Sequence, residues 1–483
     1  MGLETAVVRR EIETKNELKF YHAQHRISPL FMIKLLAISV QQNSLLSPRW
    51  IVPVEPAGEV LEDHCVAVRG GVIEAVLPRA AAAARFSSYE NVPLDEHVLI
   101  PGLVNAHTHA AMSLMRGLAD DLPLMRWLEE RIWPAEMKHV SPQFVQDGTL
   151  LACAEMLRGG VTCFNDMYFF PDAALEAALE AGMRVSMGMI VLELPSAYGS
   201  DPDDYLAKGL ALRDRWREHP LVSFCLAPHA PYTVSDASFL KIAKLAAEVE
   251  VPVHIHLHET AGEIARSLGE HGVRPIERLQ RLGLLGPGLI AVHAVHVNDA
   301  EIALLARHGA SVVHCPSANL KLASGFAPVA KMAAAGVNLA IGTDGAASND
   351  RLDMFEEMRL AALLAKAVAG DAGALPAHAA LRAATLGGAT ALGLETRIGS
   401  IFPGKFADLA AVHLSGPELT PRYDPASLLV YTAGRQHVSD VWVAGHRLVQ
   451  TGILVDLAQH FPFKGLDTRV KLWQNSLRTY AEP

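Results

Sequence analysis

The chain of 483 residues is half hydrophobic and carries a formal net charge of −10. That length exceeds one ordinary domain and suits a large barrel with a smaller companion. No cluster of lysine or arginine offers a surface for nucleic acid or anionic membrane, and no apolar run reaches the ~20 residues that span a bilayer.

Residues 1–44 read as a polar, irregular N-terminal extension with no assigned role. Its segment Ile33–Val40 is too short and too deep to read as a signal peptide. From 45 to 97 the text is short strands. Trp50–Val54 is one, and Cys65–Arg69, Gly70-Gly71 and Val72–Val76 predict a hairpin. Residues 98–396 alternate short apolar runs with helical stretches such as Ala237–Glu250 and Ala300–His308. The eight runs are Val98–Ala106, Val161–Asp166, Val185–Val191, Val222–Ala227, Val251–Leu257, Leu289–Val295, Ala310–His314 and Val337–Gly342. Most are continuously apolar, as parallel strands buried on both faces are. Eight strand–helix units predict an α/β fold, a (β/α)8 TIM-type barrel. Strand text returns over 397–455, with Lys405–Val412 and Val438–Val443 as examples. It is expected to join 45–97 in one small β-sandwich domain built from both flanks. The tail 456–483 reads as a docked helix.

The five cysteines, Cys65, Cys153, Cys163, Cys225 and Cys315, are scattered and form no Cys-x-x-Cys pair. They fit a reducing, cytoplasmic setting and neither a disulfide framework nor a thiolate zinc site.

Polar residues recur where the predicted strands end, the place where this barrel type keeps its chemistry. The first run ends on His107 and His109, the second on Asn165 and Asp166, the fourth at His229 and the fifth at His256 and Glu259. His293 follows the sixth, Ser317 and Asn319 the seventh, and Asp344 the eighth; the third offers only Glu193 nearby. Residues two apart on a strand share a face, so His107 and His109 can reach one ion. Imidazole nitrogen and carboxylate oxygen are zinc donors. His254, His256 and His258 share a face of an ideal strand in the same way, and spacing does not choose among them. Asp344, in Gly342-Thr343-Asp344-Gly345, reads equally as a turn or as a carboxylate ligand.

Pro101-Gly102-Leu103-Val104-Asn105-Ala106-His107-Thr108-His109 resembles the first-strand signature of the amidohydrolase superfamily, and Gly399–Leu409 resembles its C-terminal signature. Within it, Met112–Glu136, Pro228–Tyr232, His256–Thr260, His293–His296 and His314–Leu322 are similar to the 5′-methylthioadenosine/S-adenosylhomocysteine deaminases. The resemblance implies that His107, His109, His256 and Asp344 hold one divalent metal per chain, with zinc the best match and iron or manganese compatible with the same donors. It selects His256 because the family's catalytic Glu lies three residues beyond its ligand. It implies catalytic roles for Glu259, His293 and Asp344, and substrate-binding roles for Trp127, Glu136, His229 and Glu259. It implies a small nucleoside substrate, deaminated to the inosine analogue and ammonia, and a homo-oligomer, with neither nucleic acid nor membrane as partner.

One segment departs from the family. Members that accept S-adenosylhomocysteine use arginines near and after the third strand to hold its carboxylate. Here Ser186–Leu194 is apolar and acidic, and the next arginine, Arg213, lies in a helical stretch. 5′-Methylthioadenosine is therefore the expected preference, with adenosine or S-adenosylhomocysteine as further substrates. The competing readings are an s-triazine chlorohydrolase or a guanine or cytosine deaminase on the same scaffold, and a non-catalytic scaffold on a degenerate barrel.

Overall fold

The structure, a computed structural model, describes residues 43–455 and 462–480. All but two residues of the expected extension over 1–44 lie outside the described residues. Eight strands pair parallel, each with its sequence neighbours: Leu103–Thr108, Val161–Asp166, Arg184–Val191, Val222–Pro228, Val253–Leu257, Leu289–His293, Ser311–His314 and Asn338–Ile341. The first, second, third, fifth, sixth and seventh are buried at every position. Helices on the outside and packed side chains within leave them no polar face, so the sequence shows runs rather than alternation.

The ring closes between the first and eighth strands. Asn105 Nδ2 donates to Thr343 Oγ1 (2.7 Å), Thr343 N donates back to Asn105 Oδ1 (2.9 Å), and Asp344 N donates to the His107 carbonyl (3.0 Å). Gly342 makes the approach possible, because a Cβ there would stand 2.8 Å from the His107 Cβ.

The run Val98–Ala106 is not one strand. Strand Glu90–Pro101 belongs to the flanking sheet, and the barrel begins at Leu103. The chain pivots at Gly102, where a Cβ would fall 2.1 Å from Thr162 Oγ1, and the Gly102 N–H donates to the Asp408 carbonyl (2.8 Å). The fifth and sixth strands are also shorter than their apolar text. Pro252 lacks a ladder donor before Val253, and His293 and Ala294 have φ of 74° and 47°, which ends the sixth.

Nine strands from the two flanks form one mixed sheet. Glu90–Pro101 is its hinge: it pairs parallel with Ser44–Ile51 and antiparallel with Leu409–His413, from Pro101↔Leu409 to His97↔His413. The observed strands Ser44–Ile51 and Leu409–His413 are thus offset along the chain from the expected Trp50–Val54 and Lys405–Val412. Lys405 is instead tied to Glu55 (3.0 Å) and to Ser400 (2.6 Å) in the preceding loop. The predicted hairpin is present as His64–Arg69 and Val72–Pro78, turning through Gly70 and Gly71 at φ 55° and 81°. Two consecutive positive φ values make the type I′ turn that matches strand twist.

The sheet is joined to the barrel floor by a buried ion pair. Arg184, at the start of the third barrel strand, donates to both oxygens of Asp408 (2.7 and 3.0 Å) and to the Pro220 carbonyl. Helix Leu466–Leu477 docks on helix Pro142–Arg158: Arg469 and Trp473 both donate to Asp147. Among the described residues no helix is long and apolar enough to cross a membrane.

Candidate active site

The C-terminal ends of the barrel strands open on a cavity of about 280 Å³. His109, His229, His256, Glu259, His293 and Asp344 reach it from five of the eight strands, and Trp127 and Glu136 from the segment after the first. His107 lies directly beneath, fully buried.

One ligand atom each from His107, His109, His256 and Asp344 lies within 4.8 Å of the others. His107 Nε2 and His109 Nε2 stand 3.3 Å from Asp344 Oδ1, and His256 Nε2 stands 3.3 Å from His109 Nε2. Ligands ~2.0–2.1 Å from one tetrahedral ion are about 3.3 Å apart, so the spacing matches a shared zinc-sized ion. The outer nitrogens support the same conclusion. His109 Nδ1 donates to the Met167 carbonyl (2.6 Å) and His256 Nδ1 to the His229 carbonyl (2.7 Å). Those bonds put the ring proton on Nδ1 and leave the Nε2 lone pairs converging. His107 Nε2 has no protein hydrogen-bond partner although it is buried.

Asp344 is held from its other side by Gly345 N (2.8 Å) and by Ser348 Oγ on Oδ2 (2.8 Å). Burial opposes its ionisation, but the imidazoles of His107 and His109, each 3.3 Å away, outweigh that and keep its carboxyl well below the usual range. Burial pushes His107 down to about 4, whereas Asp344, against the same cost of burial, lifts His109 to about 9.

The three histidines of the fifth strand divide the work. His256 enters the cluster. His254 lies one layer deeper, with Nε2 3.1 Å from His107 Nδ1. His258 leaves the shared face expected of it, because the strand stops at Leu257 and His258 turns to φ 57°. Its ring instead accepts from Ile276 N and sits 3.2 Å from the His296 carbonyl.

Glu259 is 6% exposed in the cavity wall, with Oε2 3.8 Å from His293 Nε2 and Oε1 3.5 Å from Ser324 Oγ. Burial raises its pKa. Its backbone N–H and that of His258 donate to the two oxygens of Glu263 (2.9 and 2.8 Å), which fixes the turn that presents it. His293 Nδ1 pairs with Asn319 Oδ1 at 2.9 Å. His229 Nδ1 bonds Thr233 Oγ1 (3.1 Å), leaving Nε2 as an acceptor toward the cavity, and burial drives its pKa down to about 3.

His258, His293 and Asp344 all sit at strand ends with positive φ, 57°, 74° and 62°. Non-glycine residues in that region are strained by about 1–3 kcal/mol each and cluster at functional sites.

Trp127 and Glu136 ride on one helical rod. It runs Leu124–Trp127, a π-helical turn at Leu128–Ile132, then Trp133–His139. At about 100° per residue, nine positions would set the two on opposite faces. The π turn absorbs one residue, brings the offset to about 80° and lets both line the cavity. Glu136 accepts from Tyr168 Oη (2.7 Å), and burial raises its carboxyl to about 7.

Several strand-end residues support rather than line. Asp166 accepts from Ala110 N and Thr108 Oγ1, and Asn165 donates to the Ala106 carbonyl, which together shape the turn carrying His109. Ser317 N donates to Glu357 (3.1 Å). Glu193 caps the helix Asp236–Val249 through Ser235 and Ser238, outside the cavity. Sequence reasoning missed Tyr168 and Ser324, which act through hydrogen bonds between loops distant in sequence. It also missed Glu263 and Ser348, although each lies only four residues beyond the site residue it supports, Glu259 and Asp344.

After the third strand the wall is Leu192, Leu194, Pro195, Ser196 and Ala197, and among the described residues no arginine or lysine lines the cavity. Ser196 Oγ is occupied by Tyr205 Oη (2.6 Å) and the N–H groups of Tyr198 and Gly199. Arg213 points elsewhere, donating to the Val249 carbonyl.

The amidohydrolase family model matches residues 98–448. A 5-methylthioadenosine/S-adenosylhomocysteine deaminase from Saccharophagus degradans is 49% identical over 405 residues, covering 84% of this chain and 91% of the relative. Another from Teredinibacter turnerae is 46% identical over 432 residues, covering 89% and 97%. Among solved structures, an adenosine deaminase from Xanthomonas campestris with bound zinc superposes with a TM-score of 0.87 at 51% identity, covering 91% of this chain and 99% of that one. Atrazine chlorohydrolase from Arthrobacter aurescens, complexed with zinc, gives 0.82 at 25% identity, covering 89% and 99%.

Proposed function

This chain belongs to the amidohydrolase family, and on that premise we propose that it is a zinc-dependent hydrolytic deaminase of adenosine-type nucleosides. The product is the inosine analogue, with ammonia released. The observation that carries the reading is the converging set His107, His109, His256 and Asp344 beneath a cavity that also receives Glu259 and His293.

His107, His109, His256 and Asp344 would hold the ion; when bound, it supplies a water whose pKa is lowered from 15.7 to about 7. The remaining work falls to side chains. Glu259, poised by burial to carry a proton, passes it to N1 of the purine, which makes C6 electrophilic. His293 and Asp344 orient the attacking water at C6. The C6–O bond forms first and makes C6 tetrahedral; the C6–N bond then breaks as Asp344 helps deliver the second proton to the departing amine. Trp127 packs the nucleoside, Glu136 accepts from the ribose hydroxyls, and His229 Nε2 faces the base.

Among nucleosides the apolar wall after the third strand favours 5′-methylthioadenosine. Among the described residues no arginine or lysine lines the cavity to receive a homocysteine carboxylate. The reading extends to one β domain from both flanks, running through Pro101 at the N-terminal side and over 397–455 at the other, beside a barrel that begins at Leu103; to a homo-oligomer; and to the cytoplasm, where the five free, buried cysteines are at home.

An ultraviolet deamination assay over methylthioadenosine, adenosine, S-adenosylhomocysteine, guanine, cytosine and a chlorotriazine tests it. Methylthioadenosine should give the highest kcat/KM. A faster guanine, cytosine or chlorotriazine reaction, or no reaction by metal-loaded protein, would overturn the assignment.

A further inference from the structure

Asn319 stands behind His293, outside the ligand cluster and the cavity. Its side chain is 2% exposed, and Oδ1 lies 2.9 Å from His293 Nδ1. Its Nδ2 has no protein partner. His314, 4% exposed at the end of the seventh strand, has an equally unpartnered Nδ1. Both residues line a second, separate cavity of about 10 Å³, together with Pro316, Phe326 and Leu364. That volume is close to what one water requires, and a water needs polar partners. Burying an amide N–H and an imidazole nitrogen with neither satisfied is unfavourable for each.

We propose that Asn319 is the positioning residue that fixes the tautomer of His293, and that one water bound between Asn319 Nδ2 and His314 Nδ1 fixes Asn319. The logic follows from donors and acceptors. An amide can face His293 with either end. A water that accepts from Nδ2–H and donates to the His314 lone pair permits only one orientation, with Oδ1 toward His293. A carbonyl oxygen only accepts, so His293 must carry its proton on Nδ1. The Nε2 lone pair is then free toward Glu259 and the reacting centre. The flipped amide would donate to Nδ1, move the proton to Nε2, and remove the acceptor from the site. Asn319 thus acts through His293 and touches no substrate.

The inference rests on the catalytic reading of His293 but is tested separately from it. Neutron crystallography of the zinc-loaded wild-type enzyme should show deuterium on His293 Nδ1, the amide oriented as described, and a water between Asn319 and His314. Deuterium on Nε2 alone, or an empty small cavity, would overturn the proposal. In solution, Asn319→Leu should lower kcat about 10–100-fold with KM within about threefold, as loss of an orienting partner does. Asn319→Asp, which keeps an acceptor toward Nδ1, should recover most of that loss. A folded Asn319→Leu protein with unchanged kcat would refute it. If His293→Ala retained activity, the catalytic reading of His293 would fall, while the neutron result would still decide the tautomer.

Discussion

Replacing Leu194 with arginine should change which nucleoside the enzyme prefers. Leu194 lines the cavity on the loop after the third strand and is 62% exposed, so a longer polar side chain there disturbs no packed core. The wild-type wall after the third strand offers a carboxylate no charged partner: Ser196 is already engaged, and among the described residues no arginine or lysine lines the cavity. A hydrogen bond to a charged group contributes ~1.5–3 kcal/mol when sheltered. Exposure at the rim brings this one just below that range, to about 1.4 kcal/mol, a factor of about ten in kcat/KM. The assay compares S-adenosylhomocysteine with methylthioadenosine in wild type, Leu194→Arg and Leu194→Gln. The ratio should rise about tenfold in the arginine variant only, and the rise should shrink with added salt. The reasoning fails if wild type already favours S-adenosylhomocysteine, or if the ratio does not move in a folded arginine variant.

Glu259→Gln should retain stoichiometric zinc and lose about 10²–10⁴-fold in kcat, since it removes the proton carrier and leaves every ligand in place; metal analysis beside steady-state kinetics checks both halves. Asp408→Ala should cost about 3–5 kcal/mol by denaturant melts, because it strands a buried Arg184 guanidinium between sheet and barrel; a loss below about 1 kcal/mol would show that the pair holds nothing together. Burial pushes Glu357 up to about 8, so its contribution is fully present below the ordinary carboxylate range and is lost as pH rises through about 8. Melting temperatures of wild type and Glu357→Gln should therefore diverge from about pH 5 to about pH 8, with the wild type losing ground; parallel curves would contradict this.

The barrel was legible because its strands are buried on both faces and announce themselves as apolar runs. The ligand set was legible because its members sit at strand ends with short motifs around them. What escaped was set by geometry that no local pattern encodes. Gly102 splits one apolar run between two sheets because Thr162, sixty positions on, occupies the space a side chain would need. His258 leaves its neighbours because of one left-handed residue, a conformation invisible to a period-two reading. Tyr168 and Ser324 acquire meaning only when loops far apart in sequence meet at the barrel mouth. Within the rod 124–139, helical spacing alone would have separated Trp127 from Glu136; the π turn reunites them.

The left-handed backbone at His258, His293 and Asp344 bears on how this protein can be engineered. The usual routes to a sturdier enzyme relax strained residues or rigidify loops. Here the relaxed conformations would swing the imidazole and the carboxylate away from the cavity, so each gain in melting temperature at these positions should be matched by a loss of turnover. Ala294, at φ 47° beside His293, is the revealing neighbour. Glycine there would ease the backbone without touching a functional group, and its effect on turnover would measure how far the pocket depends on being held taut.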